Sequence, residues 1–478
     1  MQKKEQVSLM SKEPKKLGII ALTALIISSS IGAGIFAIPT DMADAASPGG
    51  ALMAWLIAGL GVLTLCLSIV NIINKKPELS GIVSYAEDGF GPFNGFISGW
   101  GYWLSAWLGN VAFATMMMKT IGRFLPAFGD GSNLLSILVA SVILWGLYFL
   151  VNRGVESAAS LNTIITLCKL LPLAFYIILA ILFFDINTFM DNFWGTTSGS
   201  FELSSVIKQI QSSMMVIMWV FVGIEGAAMM SDRASSKAIV GKSTVLGLIG
   251  LLVVYIAASI LPYGILAREQ IAGLPNPAMG YVLAENVGSW FPIVVNIALI
   301  ISIFGAWLSW TMLPAETTLI MAQRDLLPAK FGKLNNQGVP TYSLFFMTAL
   351  TQVFMFTLLF TESAYQFAYA LCTAAMFISW LYVVLYQTKL SKSLNDTKQM
   401  FLGLIGSVFF IWVIWASGID YFLLCLIAYL VGIFFYIQAR KQKGVKKVFS
   451  QAELMLLVFL VAGALLAIFR LVTGQISF

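Results

Sequence analysis

The sequence predicts an all-α polytopic membrane protein: two inverted repeats of five spans, each opening on a discontinuous span, followed by about three accessory C-terminal helices. Three observations predict it. The chain is 59% hydrophobic and only 10% charged, where soluble domains carry roughly 25% charged residues. Two long apolar segments are interrupted by glycines at mid-length, at Gly32 and Gly34 and again at Gly223 and Gly226. The two breaks lie five spans apart, and an odd number of spans per half inserts the halves with opposite orientation.

A spanning helix takes about 20 apolar residues, and on that rule the chain holds about thirteen spans. They are expected near 17–46 (broken), 49–74, 92–125, 133–151, 159–184, 206–231 (broken), 241–267, 288–322, 341–360, 364–388, 400–417, 419–439 and 453–473. This divides the chain into a tail (1–16), a first repeat (17–184), a second repeat (206–388) and accessory spans (400–473). The first apolar run is longer than a signal-peptide core, and it is read as a retained span. With the N-terminus in the cytoplasm, 22 of the 28 basic residues fall inside, beginning with Lys3, Lys4, Lys12, Lys15 and Lys16. Five fall outside (Lys119, Arg123, Lys208, Arg268 and Arg470), and Lys169 alone lies within a span. The asymmetry sets a cytoplasmic N-terminus.

Composition also excludes functions. There is no histidine, which removes histidine triads, relays and metal sites. Cys66, Cys168, Cys372 and Cys425 are scattered, without metal-ligand or disulfide spacing. No catalytic constellation and no large extramembrane segment is present, which argues against an enzyme or a sensor. No cofactor and no nucleic-acid partner is expected. The net charge of +6 is accounted for by cytoplasmic loops.

Each break is read as part of a site. An apolar helix that opens at mid-membrane exposes main-chain groups, which is tolerated only where they are buried in protein or face a cavity. Two such breaks in corresponding positions of inverted halves point to a binding site at the bilayer midplane. Free N–H groups at a half-helix start suit a carboxylate, and free carbonyls suit an ammonium. Facing breaks therefore suit an α-amino acid. The alternative is that the glycines are packing points.

Charged residues inside spans are rare and usually functional. Lys169 lies about twelve residues into the fifth span, about 18 Å deep, and needs an anion, a set of carbonyls or a neutral state. The carbonyls of the first break are natural partners. A purely structural lysine is the alternative. Glu225 sits within the second break, where it could meet a cationic substrate, take a proton or close the turn. Glu316, nearer the cytoplasmic end of span 8, reads as structural. Trp219 and Trp310 lie at the same level and could hold a cation on their ring faces. Tyr102, Trp103, Trp107, Asn110 and Phe113 line span 3.

These residues also carry a family likeness. The matching stretches are Ile31-Gly-Ala-Gly-Ile-Phe-Ala-Ile-Pro39, Ser84-Tyr-Ala86 with Gly89-Phe-Gly91, Gly101-Tyr-Trp-Leu-Ser-Ala-Trp-Leu-Gly-Asn110, Lys169-Leu-Leu-Pro172, Trp219 to Ala227, Ser309-Trp-Thr-Met-Leu313 and Leu326-Leu-Pro328. Through them the chain resembles the amino acid–polyamine–organocation transporters, and most closely the bacterial arginine/ornithine antiporters. The resemblance implies a LeuT-like 5+5 inverted repeat working by alternating access in a bacterial cytoplasmic membrane. It implies small-molecule partners, a cationic amino acid and its catabolic product, with histidine/histamine, lysine/cadaverine or proton-coupled transport as alternatives. It further implies a substrate site of Ser30, Ile31, Gly32, Ala33, Gly34, Ser105, Ala106, Asn110, Phe113, Trp219, Phe221, Gly223, Ile224 and Trp310. Glu225, Trp219, Trp310 and Lys169 would gate it or link it to protons, with Lys169 in the place of a sodium ion. The accessory spans are left for packing or a homodimer contact.

Overall fold

A computed structural model describes residues 16–196, 199–360 and 364–476. Lys3, Lys4, Lys12 and Lys15 of the basic N-terminal tail lie outside them. Among the described residues the chain is helical, with no sheet. The main helices are α1 (Ile19–Ser30), α2 (Gly34–Ala45), α3 (Pro48–Lys75), α4 (Gly81–Phe90), α5 (Pro92–Gly122), α6 (Leu134–Asn152), α7 (Val155–Leu182) and α8 (Leu203–Phe221). They continue with α9 (Gly226–Met229), α10 (Lys237–Ile260), α11 (Phe291–Gln323), α12 (Thr341–Thr357), α13 (Ala364–Ser393), α14 (Thr397–Ala416), α15 (Ile419–Gln442) and α16 (Gln451–Val472).

Their boundaries follow local chemistry. Prolines open α3, α5 and α11, where the missing N–H costs nothing and the fixed φ suits a first turn. Asn133, Ser236 and Asp396 cap α6, α10 and α14 through their side-chain oxygens. A capping box of Ser450 and Glu453 starts α16.

Among the described residues nine helices are long and apolar enough to cross a membrane, or ten when α1 and α2 count as one span bent by 43°. The remaining expected spans correspond to α5, α8 and α12. The 17 residues of α12 make it short, and α5 and α8 exchange aliphatic residues for glycine, tryptophan, asparagine, serine and glutamine. The accompanying polarity is the mark of helices turned toward a protein interior. The second broken span is lopsided: α8 has 19 residues, whereas α9 beyond the break has four.

Burial separates centre from rim. The most apolar stretch of α13 is 78% buried, against 17% in α16. α5 packs between α11 and α13, and α1 packs against α7, α10 and α11. α8 lies on α3 and α2. The two breaks therefore meet at the middle of the bundle, walled by α5, α11 and α13. At the Leu17 end the two broken spans are joined again. Leu17 N donates to Arg233 O at 2.8 Å and Ser235 N donates to Leu17 O at 2.9 Å, a parallel β-bridge.

Candidate functional site

The first break opens after Ser30, and its loosened carbonyls are taken up by side chains. Lys169 on α7 is fully buried. Its Nζ donates to Ile31 O at 2.6 Å, Ser28 O at 3.1 Å and Ser28 Oγ at 3.2 Å. Ser302 Oγ on α11 approaches Ile31 O and Gly32 O at 3.1 and 3.2 Å. Trp310 Nε1 donates to Ser29 O at 2.8 Å. Ser28 Oγ donates to Asn162 Oδ1 at 2.7 Å, which Ser309 Oγ also reaches at 3.2 Å. A buried carbonyl without a donor costs about 1–3 kcal/mol, so this set of donors holds the break open in one conformation.

The second break spans Val222–Glu225. Gly223 has φ +110°, a conformation that glycine adopts without the Cβ penalty. Ser29 Oγ lies 2.9 Å from Gly223 O, which brings the two breaks into direct contact. Glu225 starts α9. Its Oε2 accepts from Trp380 Nε1 at 3.0 Å, and Tyr102 of α5 adjoins the same carboxylate.

A small cavity lies between the breaks, lined by Ser29, Ser30, Gly32, Ala33, Gly34, Phe113, Trp219, Val220, Val222 and Trp310. Its volume is about 10 Å³, room for about one water. Two indoles close it. Trp219 stacks on Tyr369 at 5.6 Å, leans on Phe113 at 5.9 Å and donates Nε1 to Tyr365 Oη at 3.3 Å. Trp310 stacks on Tyr102 at 6.2 Å. Among the described residues, the N–H groups of Ala33, Gly34 and Ile35 at the start of α2 have no acceptor, and the carbonyls of Val220 and Val222 have no donor. The wall thus offers free main-chain donors from one break and free acceptors from the other.

The structure brings Ser30, Gly32, Ala33, Gly34, Phe113, Trp219 and Trp310 to this cavity, as residues expected there. It places the others elsewhere. Ile31 gives its carbonyl to Lys169 and Ser302. Ser105 Oγ lies 3.2 Å from Cys372 Sγ, and Ala106 is buried beside it on α5. Asn110 Nδ2 donates to Trp310 O at 3.3 Å. Phe221 corrects the expectation: it packs edge-on against Trp55 and Tyr255. Two residues after Trp219, it faces the opposite side of α8. Gly223, Ile224 and Glu225 form the turn behind the cavity rather than its wall. Glu316 pairs with Arg233 at 2.5 Å.

Sequence reasoning missed Ser29, Val220, Val222, Tyr365, Tyr369 and Trp380. One signal was present: Tyr365 and Tyr369 are four apart on one helix, hence on one face.

Residues 17–469 match the family described as amino acid permease. The chain belongs to the amino acid permease family. As such, this permease is a membrane transporter and not an enzyme. It is 51% identical over 469 residues to an arginine/ornithine antiporter of Latilactobacillus sakei, covering 97% of this chain and 99% of the relative. An arginine/ornithine antiporter of Lactococcus lactis subsp. cremoris is 41% identical, covering 96% of this chain and 91% of the relative. An arginine/agmatine antiporter of Chlamydia felis is 37% identical, covering 98% of this chain and 99% of the relative. The breaks described above are therefore features of a permease, and the cavity between them is its candidate substrate site.

Proposed function

We propose that this permease exchanges arginine for ornithine by alternating access, in a bacterial cytoplasmic membrane with its N-terminus on the cytoplasmic side. The observation that carries the reading is the 51% identity, over nearly the whole of both chains, to an arginine/ornithine antiporter. The site chemistry supports it. Free N–H groups at the start of α2 suit an α-carboxylate, and the free carbonyls at the end of α8 suit an α-ammonium. The faces of Trp219, Trp310 and Phe113 suit a cationic side-chain end, worth about 0.5–2 kcal/mol per ring contact. Ligand sites usually occupy about 300–1,000 Å³, so the cavity must widen to load, and Trp219 with its Tyr365 contact is the closing element. Residues 17–184 and 206–388 form the two inverted repeats, and Glu225 is the proton-sensitive member of the gate.

Exchanging one monocation for another moves no net charge, whereas releasing a decarboxylated dication would move charge. Counterflow in proteoliposomes separates these cases. Labelled arginine enters vesicles loaded with ornithine, enters empty vesicles poorly, and does so at a rate indifferent to an imposed membrane potential. Equal uptake into empty vesicles rejects exchange. A potential-dependent rate with internal agmatine outcompeting ornithine assigns the arginine/agmatine type instead.

A further inference from the structure

An open pocket lies away from the substrate site, between the end of α6 and the start of α12. It measures about 440 Å³. Tyr148, one turn inside the end of α6, and Phe345, one turn inside the start of α12, form its apolar floor together with Leu334. The loop between α11 and α12 is tied down beside it: Asn335 Nδ2 donates to Asn152 O at 2.9 Å, and Thr341 Oγ1 donates to Asn152 Oδ1 at 2.8 Å. The pocket is therefore a built recess.

Its rim is basic. Lys333 lines it and is exposed. Lys330 lies 4.7 Å over the ring of Tyr342, which forms another wall, and exposed Arg153 follows Asn152. No acidic residue occurs anywhere in 134–155 or 326–360. The main-chain N–H groups of Tyr342 and Ser343, in the first turn of α12, have no acceptor among the described residues. Lys333 and the first turn of α12, through Thr341 and Tyr342, line the same recess, where an anion is favoured. Beside them, Tyr148 and Phe345 give the recess an apolar side that reaches one turn into each of the two spans.

We propose that this pocket holds one phospholipid with an anionic headgroup, its phosphate on Lys333 and the first turn of α12, its acyl chain along Tyr148, Leu334 and Phe345. A zwitterionic lipid covers the apolar side but leaves the basic rim uncompensated. A soluble anion satisfies the rim but not the apolar side. The occupant is thus an anionic lipid of the leaflet that the basic loops face, the leaflet whose negative surface attracts such segments.

The test uses the purified full-length protein in detergent, offered equal amounts of phosphatidylglycerol and phosphatidylcholine, with retained lipid measured by native mass spectrometry. The wild type retains phosphatidylglycerol preferentially. A basic residue at the membrane surface contributes about fivefold to anionic-lipid binding, so Lys333→Gln lowers the retained ratio by about fivefold. Lys398→Gln, which removes an exposed charge at the start of α14, leaves the ratio unchanged. Phe345→Ala weakens retention of both lipids while keeping the preference. Equal retention of the two lipids by the wild type overturns the proposal. So does an equal effect of the two lysine variants, or displacement of the lipid by excess inorganic phosphate.

Discussion

Gly223→Ala tests the contact between the breaks. Gly223 sits at φ +110°, and a methyl group there would lie 2.8 Å from the carbonyl carbon, Cβ and Oγ of Ser29. Holding a non-glycine residue at such a φ costs about 1–3 kcal/mol. The clash is with main chain that Lys169, Ser302 and Trp310 already hold, so it cannot relax by a side-chain rotation. Overpacking of this kind costs about 1–3 kcal/mol more. The sum, about 2–6 kcal/mol, falls on the junction of α1 with α8. Gly250→Ala is the control, because that helical glycine has nothing within 4 Å of an added methyl group. It is expected to be neutral or stabilising by up to about 1 kcal/mol. Thermal unfolding in detergent and arginine counterflow are measured together. Gly223→Ala lowers the melting midpoint and abolishes counterflow, and Gly250→Ala does neither. A Gly223→Ala protein that melts and exchanges like wild type refutes the geometry argued for the junction.

Lys169→Met orphans one carbonyl, Ser28 O, at a cost of about 1–3 kcal/mol, and leaves Ile31 O to Ser302 alone. Losing a buried ammonium offsets part of this, so counterflow disappears while the melting midpoint moves little; retained exchange would remove Lys169 from the machinery. Trp219→Leu deletes a ring face, and with about 0.5–2 kcal/mol at stake the KM for arginine rises about 2–30-fold; an unchanged KM places the cation elsewhere. Glu316→Leu strands Arg233 at a cost of about 3 kcal/mol, the lower end for a broken buried pair because Arg233 keeps some water. The double variant Arg233→Leu/Glu316→Leu regains most of that stability, and a double variant as unstable as the single one would show that the pair is not the unit.

Membrane class, helix order and the position of both breaks were legible in the sequence, because they depend on composition and on glycine, which are local. Lys169 was legible too: a lone cation at mid-span must find oxygen atoms, and an opened helix supplies them. What could not be read was which side of each helix meets the site near a break. Trp219 and Phe221 look equivalent in sequence, yet one closes the cavity and the other packs on Trp55. An unwound turn also resets helical phase, and Ile31 and Ile224, which the resemblance implies for the site, lie outside the cavity lining. The contributions of Tyr365, Tyr369 and Trp380 come from a helix about 150 residues further along the chain, and nothing local marks such contacts. The polarity of α5 and α8, which weakens them as hydropathy signals, has the same origin as their place at the centre.

The pairing of Leu17 with Arg233 and Ser235 has a mechanical meaning. Both of its bonds run between main-chain atoms, so the join depends on backbone path and is indifferent to the side chains at 17, 234 and 235, provided an N–H remains at 17 and 235. It fastens the start of α1 to the short piece beyond the second break, on the side of the break opposite α8. Each broken span thus has one segment belonging to a shared clasp and one segment outside it. A rotation of the clasped pair would bend both breaks at once, with the Ser29–Gly223 contact close to the pivot. Two hydrogen bonds distant from the cavity thus add a second tie between the broken spans to the one that Ser29 and Gly223 make at the breaks.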